Sequence, residues 1–178
     1  MKRFYKNVSY EADDSGDAFV VTLDDMPIKT PAKKILTLPN VAFAKAVKQE
    51  WANQNENIQP NSMPLMRLAC TVIDYAKERS KNYKIEALRY ASTDTICYRS
   101  NTPDQLAQLQ KDIWDPILIF MKDFFKVKLL TTTGASPIKQ PTFSIKTLTK
   151  VLDSYDAWIL TGVINVIIGW FLTAITAF

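Results

Sequence analysis

Residues Glu50 to Asp74 read EWANQNENIQPNSMPLMRLACTVID, and the reading of this stretch decides the fold. It joins two helical patterns through one polar connector. The first pattern closes near Trp51. The connector, Asn53 to Ser62, is built of Asn, Gln, Glu, Pro and Ser around one apolar anchor, Ile58. Met63-Pro64 then opens a second helix, because proline fits a first helical turn, where its missing N–H is not needed. From there Leu65, Leu68, Ala69, Val72, Ile73 and Ala76 recur at helical spacing. Arg67 and Asp74 lie seven apart on one face of this helix. They are expected to orient the connector rather than to do chemistry. The plainer alternative is an ordinary helix–loop–helix corner with its polar loop in solvent.

Toward the N-terminus the period changes. Phe4, Val8 and Tyr10 sit in an extended run, and Glu11 to Asp17 is an acidic turn. Ala18 to Leu23 (AFVVTL) is rich in strand formers, Asp24-Asp25 makes a hairpin turn, and Met26 to Thr30 returns. Ile35 to Leu38 is a further short strand. Pro39-Asn40 ends this regime. Asn40 is the expected N-cap of a helix on which Phe43, Val47 and Trp51 recur every four residues.

Toward the C-terminus the helical reading continues. Asn82 to Tyr98 carries Ile85, Leu88, Ala91 and Ile96. Thr102-Pro103-Asp104-Gln105 reads as a capping box with proline at the first helical position. Leu106, Leu109 and Ile113 form the next apolar face. Asp115-Pro116 is expected to bend the path before Ile117, Phe120, Met121 and Phe124. Phe143, Leu148, Val151 and Leu152 mark a later amphipathic helix. The fold class expected is α+β: a small β-rich N-terminal domain over residues 1–40, a helical domain over 41–156, and an apolar C-terminal helix over 157–178.

Composition limits the chemistry. The 178 residues contain 47% hydrophobic and 22% charged residues, a globular balance. The net charge of +4 is modest and its basic residues are interleaved with acids, as in Lys77-Glu78-Arg79, which argues against a nucleic-acid stripe. Without histidine, no Ser-His-Asp or Cys-His nucleophile and no histidine metal site can be assembled. Four scattered glycines leave no phosphate-cradling loop. Cys70 and Cys97 read as free buried thiols of a reducing compartment. The N-terminal MKRFYKNVSY has no apolar run, so it is not a secretory signal. No cofactor, no metal and no catalytic residue is therefore expected.

Five collinear pieces resemble one family. EW-x-x-Q-x-x-x-I-x-P-x-x-MPL-x-RLAC-x-x-ID stands over Glu50 to Asp74. RFYK at Arg3 to Lys6, LDDMPIKTPAK at Leu23 to Lys33, YASTDTICYR at Tyr90 to Arg99 and WDPIL at Trp114 to Leu118 accompany it. Together they are similar to the ATP synthase assembly chaperones that handle the alpha subunit of the catalytic head. The resemblance implies a non-enzymatic holding chaperone. Its partner would be the unassembled alpha subunit, shielded from aggregation until it pairs with beta, in the bacterial cytoplasm or the mitochondrial matrix. The family usually carries Asp-Gly at the first hairpin; here Asp25 replaces the glycine, so the turn is expected to cost about 1 kcal/mol or to change type. Trp51, Met63, Arg67, Asp94, Arg99 and Trp114 lie in the densest motifs and are the expected partner-binding residues, with Trp51 and Asp94 the most buried. Two competing readings are a small enzyme using Asp94, Tyr98 and Arg99 as helical neighbours, and a weak nucleic-acid module.

Ala157 to Phe178 carries no charge. At about 33 Å such a helix could cross a bilayer core. Asn165 at mid-span and the placement of Trp158 and Trp170 speak against that. In the resembled family this helix is followed by further helices, so the chain reads as C-terminally shortened. The tail is expected to pack partly on the Phe143–Leu152 helix, to expose an apolar stripe and to favour self-association over membrane insertion.

Overall fold

Strand β2 (Phe19–Leu23) is the centre of the N-terminal sheet, and its burial explains its composition. Val20, Val21, Thr22 and Leu23 are all buried, so FVVTL is not an alternating half-exposed strand. β1 (Val8–Ala12) pairs antiparallel along one edge, with Val8 opposite Leu23 and Ala12 opposite Phe19. The other edge is shared by β3 (Met26–Pro27) and β4 (Thr37–Leu38), both antiparallel to β2. The computed structural model describes the backbone of residues 1–176, and the side chains of these except Lys77 and residues 168–176.

The β2–β3 turn keeps its type without glycine. Asp24 and Asp25 have φ of 46° and 66°, both left-handed, as a type I′ hairpin requires. Asp24 has a compensating task. Its carboxylate accepts the amides of Lys6 and Asn7, the latter at 2.8 Å, and these bonds hold its pKa below the ordinary carboxylate range. Asp25 has no such bond among the described interactions.

Helix α1 (Val41–Ala52) begins where expected. Asn40 Oδ1 accepts from the Phe43 amide at 2.9 Å, and Ala44, Val47 and Trp51 form the buried face. Helix α2 (Pro64–Ser92) starts at Pro64 and runs 29 residues. The sequence expectation of helix through Tyr98 is corrected here. Asp94 takes an extended backbone (φ −61°, ψ 135°), so the chain leaves the helix just after Ser92. Asp94 then caps a 3-10 turn, Thr95–Cys97, and β5 (Tyr98–Arg99) pairs parallel with β6 (Thr132–Thr133).

Helix α3 (Asp104–Phe125) corrects two further expectations. Pro103 is its extended cap residue rather than its first helical residue, and no side chain caps it. Pro116 lies inside the helix, which continues through it. The missing N–H removes one bond, but the apolar spacing is the same on both sides of the proline. The face expected to be packed is open: Leu106, Leu109, Ile113, Ile117, Phe120 and Phe124 are all exposed. Helix α4 (Thr142–Ser154) and helix α5 (Ala157–Thr176) complete the chain.

Asp156 Oδ1 caps α5 through the Ile159 amide at 2.8 Å. Leu160 and Ile164 of α5 are buried in one cluster with Ala87 and Leu152, and Leu148 packs against it. Ile159 and Val166 are exposed. The Trp170, Thr173 and Thr176 side chains and residues 177–178 lie outside the described residues. Among the described residues no helix is long and apolar enough to cross a membrane.

The fold is thus α+β, and contacts group it into two compact units, Met1–Arg79 and Ser80–Phe178. The first unit holds the sheet, α1 and the first part of α2, so the change of period at Pro39-Asn40 falls inside it.

Replacing Asp25 by glycine should raise stability by ~0.5–1 kcal/mol in urea unfolding, because glycine adopts left-handed φ without strain. An unchanged or lower midpoint would show that Asp25 is not strained.

Candidate functional site

The connector between α1 and α2 is a hydrogen-bonded structure, not a solvated loop. Gln54 is its hub and is buried. Its Oε1 accepts the Gln59 amide at 2.7 Å. Its Nε2 donates to the Glu50 carbonyl at 2.9 Å and the Ser62 hydroxyl at 3.1 Å. Glu50 reaches across and forks onto the start of α2, Oε1 accepting from the Leu65 amide at 2.7 Å and Oε2 from the Met66 amide at 2.8 Å. A carboxylate satisfying two otherwise orphan amides also complements the positive end of the helix dipole.

The N-terminal motif is bound into the same structure. The Arg3 amide donates to the Glu56 carbonyl, and the Ile58 amide to the Met1 carbonyl, each at 2.8 Å. Arg3 Nη1 donates to the Gln54 carbonyl at 2.7 Å, and its guanidinium lies 4.6 Å from the Tyr5 ring centre. The Tyr5 hydroxyl donates to the Trp51 carbonyl at 2.7 Å, with the two rings edge to face. Burial pushes the Tyr5 pKa up. Trp51 is buried, as expected, and its indole N–H makes no hydrogen bond.

Asp74 does not orient the connector. It accepts the Thr30 hydroxyl at 2.7 Å and the Ala32 amide at 3.1 Å, clamping the loop that follows β3. The nearby Lys34 ammonium donates to the Ile73 carbonyl at 2.9 Å. Arg67 is exposed on the same helix.

These elements enclose an open cleft of about 1040 Å³ within the first unit. Trp51, Ile58 and Met63 are its buried lining. Its accessible rim includes Met1, Phe4, Met26, Arg67 and Tyr75, with Met26 71% and Phe4 64% exposed. Four of the five methionines, at 1, 26, 63 and 66, line it. Flexible thioethers adapt their shape to irregular apolar surfaces.

The other three expected residues fall in the second unit. Arg99 is anchored: Nη1 donates to the Gln110 carbonyl at 2.8 Å, Nη2 lies 2.9 Å from Asp115 Oδ1, and the guanidinium lies 5.2 Å from the Trp114 ring centre. The WDPIL and YASTDTICYR motifs therefore meet through Arg99. Asp94 is half-buried, accepts the Ile96 amide at 3.0 Å and lines a separate cavity of about 340 Å³. Asp94 and Tyr98 are not helical neighbours, so the arrangement on which the enzyme reading rested is absent. The Cys97 thiol is buried, and burial, then Asp94, pushes its pKa up. Among the described residues no group of three or more His, Cys, Asp or Glu is placed to hold a metal.

Sequence reasoning missed Glu50, Gln54, Arg3 and Tyr5 as the organising residues. Their partners lie across turns or at the far end of the unit, where periodicity carries no signal. Glu50→Ala should cost about 2 kcal/mol, the scale of losing a strong helix cap. Urea unfolding checks this, and a loss below about 0.5 kcal/mol would show the two amides to be equally well served by water.

Comparison with known proteins agrees with this geometry. The family described as ATP12 chaperone protein matches residues 2–122. Atp12 from Paracoccus denitrificans, in native form and as a point mutant, superposes with a TM-score of 0.81 at 31% identity over 90% of this chain. A protein from Agrobacterium tumefaciens described as a candidate chaperone superposes with a TM-score of 0.85 at 32% identity over 92% of this chain. The chain spans 68% of the length of the first and 61% of the second. It belongs to the ATP12 chaperone protein family.

Proposed function

We propose that this chain is a holding chaperone for ATP synthase assembly. It binds the unassembled alpha subunit of the catalytic head and keeps it from aggregating until beta takes its place. Family membership supports the class, and the methionine-lined cleft is the observation that supports binding of another protein. Such a cleft covers apolar surface on the client and stabilises it by mass action, yielding when a larger interface forms. The sequence has no phosphate-cradling glycine loop, consistent with holding without nucleotide hydrolysis. The setting would be the bacterial cytoplasm, or the mitochondrial matrix for an organellar form.

Residues divide by exposure. Trp51 and Met63 are buried and shape the cleft from beneath; Phe4, Met26 and Arg67 present side chains to a partner. In the second unit Arg99 and Trp114 hold the β5–α3 junction, and Asp94 borders the smaller cavity. These three act on partner binding through the surfaces they support.

Stoichiometric addition of the protein should lower the light scattering of alpha subunit diluted from denaturant, with no ATP present. Phe4→Glu with Met26→Glu should leave the melting temperature unchanged and weaken protection at least about tenfold, since exposed anchors of this size dominate binding energy. Unchanged scattering, or protection that requires ATP, would contradict the reading.

A further inference from the structure

The segment Thr30 to Lys34, after β3, closes on itself. The Thr30 amide donates to the Lys34 carbonyl and the Lys33 amide to the Thr30 carbonyl, each at 2.8 Å. The Lys34 amide donates to the Thr30 hydroxyl oxygen at 3.3 Å, and Lys29 and Ile35 pair as an isolated bridge. Lys33 takes a φ of 63°, in the left-handed region that residues with a side chain disfavour. The segment is one tightly turned flap rather than a slack loop.

Both roots of the flap are fixed in the sheet. The Ile28 amide donates to the Val21 carbonyl, its carbonyl accepts the Leu36 amide, and both Ile28 and Leu36 are buried. Between the roots, residues 31–35 are exposed. The flap meets α2 through three polar bonds at two adjacent residues. The Asp74 carboxylate holds the Thr30 hydroxyl and the Ala32 amide, and the Lys34 ammonium reaches the Ile73 carbonyl. Thr30 and Pro31 of the flap and Cys70 and Asp74 of the helix line the same cleft. Asp74 stands one turn past Cys70; burial, then the Asp74 charge, pushes the half-buried Cys70 thiol up in pKa.

We infer that this flap is a releasable gate on the cleft, with Asp74 as its catch and the Cys70 thiol behind it. The exposed residues of the flap bury little apolar surface, so its closed state depends on hydrogen bonds that water can replace. Release also lets Lys33 leave its left-handed conformation. Such a gate opens locally, at a lower free energy than unfolding of the sheet that carries it. That a client sits behind the gate rests on the function proposed above; the gating belongs to the free chain and is tested without a client.

Residue-resolved amide exchange on the full chain is the first test. The Ala32, Lys33 and Lys34 amides should open at least about tenfold more often than those of Ile28 and Leu36. One common opening equilibrium for all five would overturn the inference. The second test is maleimide labelling of Cys70, read by peptide mass spectrometry so that the buried Cys97 is counted apart. Thr30→Val removes the hydroxyl bond and leaves the Asp74 charge beside the thiol. It should speed labelling about tenfold, the scale of a lost hydrogen bond to a charged group, while Thr30→Ser keeps the native rate. In all three proteins Cys70 should become accessible more often than the Leu36 amide. Labelling that Thr30→Val leaves unchanged, or that occurs only as often as the Leu36 amide opens, would overturn the inference.

Discussion

The fork from Glu50 to the first amides of α2 is the constraint on which the first unit depends. It stands at the last turn of one helix and satisfies the first turn of the next. That single carboxylate sets where α2 begins relative to α1. Gln54 then folds the connector against the same corner, and Arg3 ties the N-terminal segment before β1 to it. Charge-assisted bonds of this kind are short and directional, which makes the corner rigid rather than merely compact. The cleft inherits that rigidity along its buried lining, while its rim carries side chains with many rotamers.

A buried lining and an adaptable rim fit the holding role proposed above. Trp51, Ile58 and Met63 form the buried lining of the cleft. Met1, Met26 and Phe4 offer apolar surface that can re-pack around irregular shapes. The second unit is built differently. Arg99 joins the β5 strand to α3 through a carbonyl, a carboxylate and an indole, and α3 in turn presents a regular apolar stripe. One surface is concave and methionine-rich; the other is linear.

Much of this was legible in the sequence, and the pattern of misses has a physical cause. The Asn40 cap and the Pro64 helix start are local events decided by propensity and capping, and each is where the residues placed it, while β1 runs on to Ala12, inside the expected Glu11–Asp17 turn, and β3 stops at Pro27. The turn at Asp24-Asp25 was legible as a turn, and its left-handed geometry without glycine followed from the strands it had to join. Pro116 misled because one lost hydrogen bond is small beside a continuous apolar spacing. The end of α2 misled in the opposite sense: Asp94 turns extended and caps a new turn through the Ile96 amide while the apolar period continues past it. Asp74 acquires its role from Thr30, 44 residues away, and Arg3 from Gln54, 51 residues away, and no window reading can pair them.

The distribution of methionines allows the central proposal to be tested in one experiment. Met1, Met26 and Met66 line the cleft, while Met121 lies on α3 beside the smaller cavity and serves as an internal reference. Peroxide converts accessible methionine to the sulfoxide, and a bound partner slows that conversion where it covers the sulfur. With stoichiometric alpha subunit present, mass spectrometry should show Met1 and Met26 oxidising more slowly and Met121 at its free rate. Unchanged rates at Met1 and Met26 in a complex that demonstrably contains alpha, or protection confined to Met121, would contradict the assignment of the cleft as the client-holding surface.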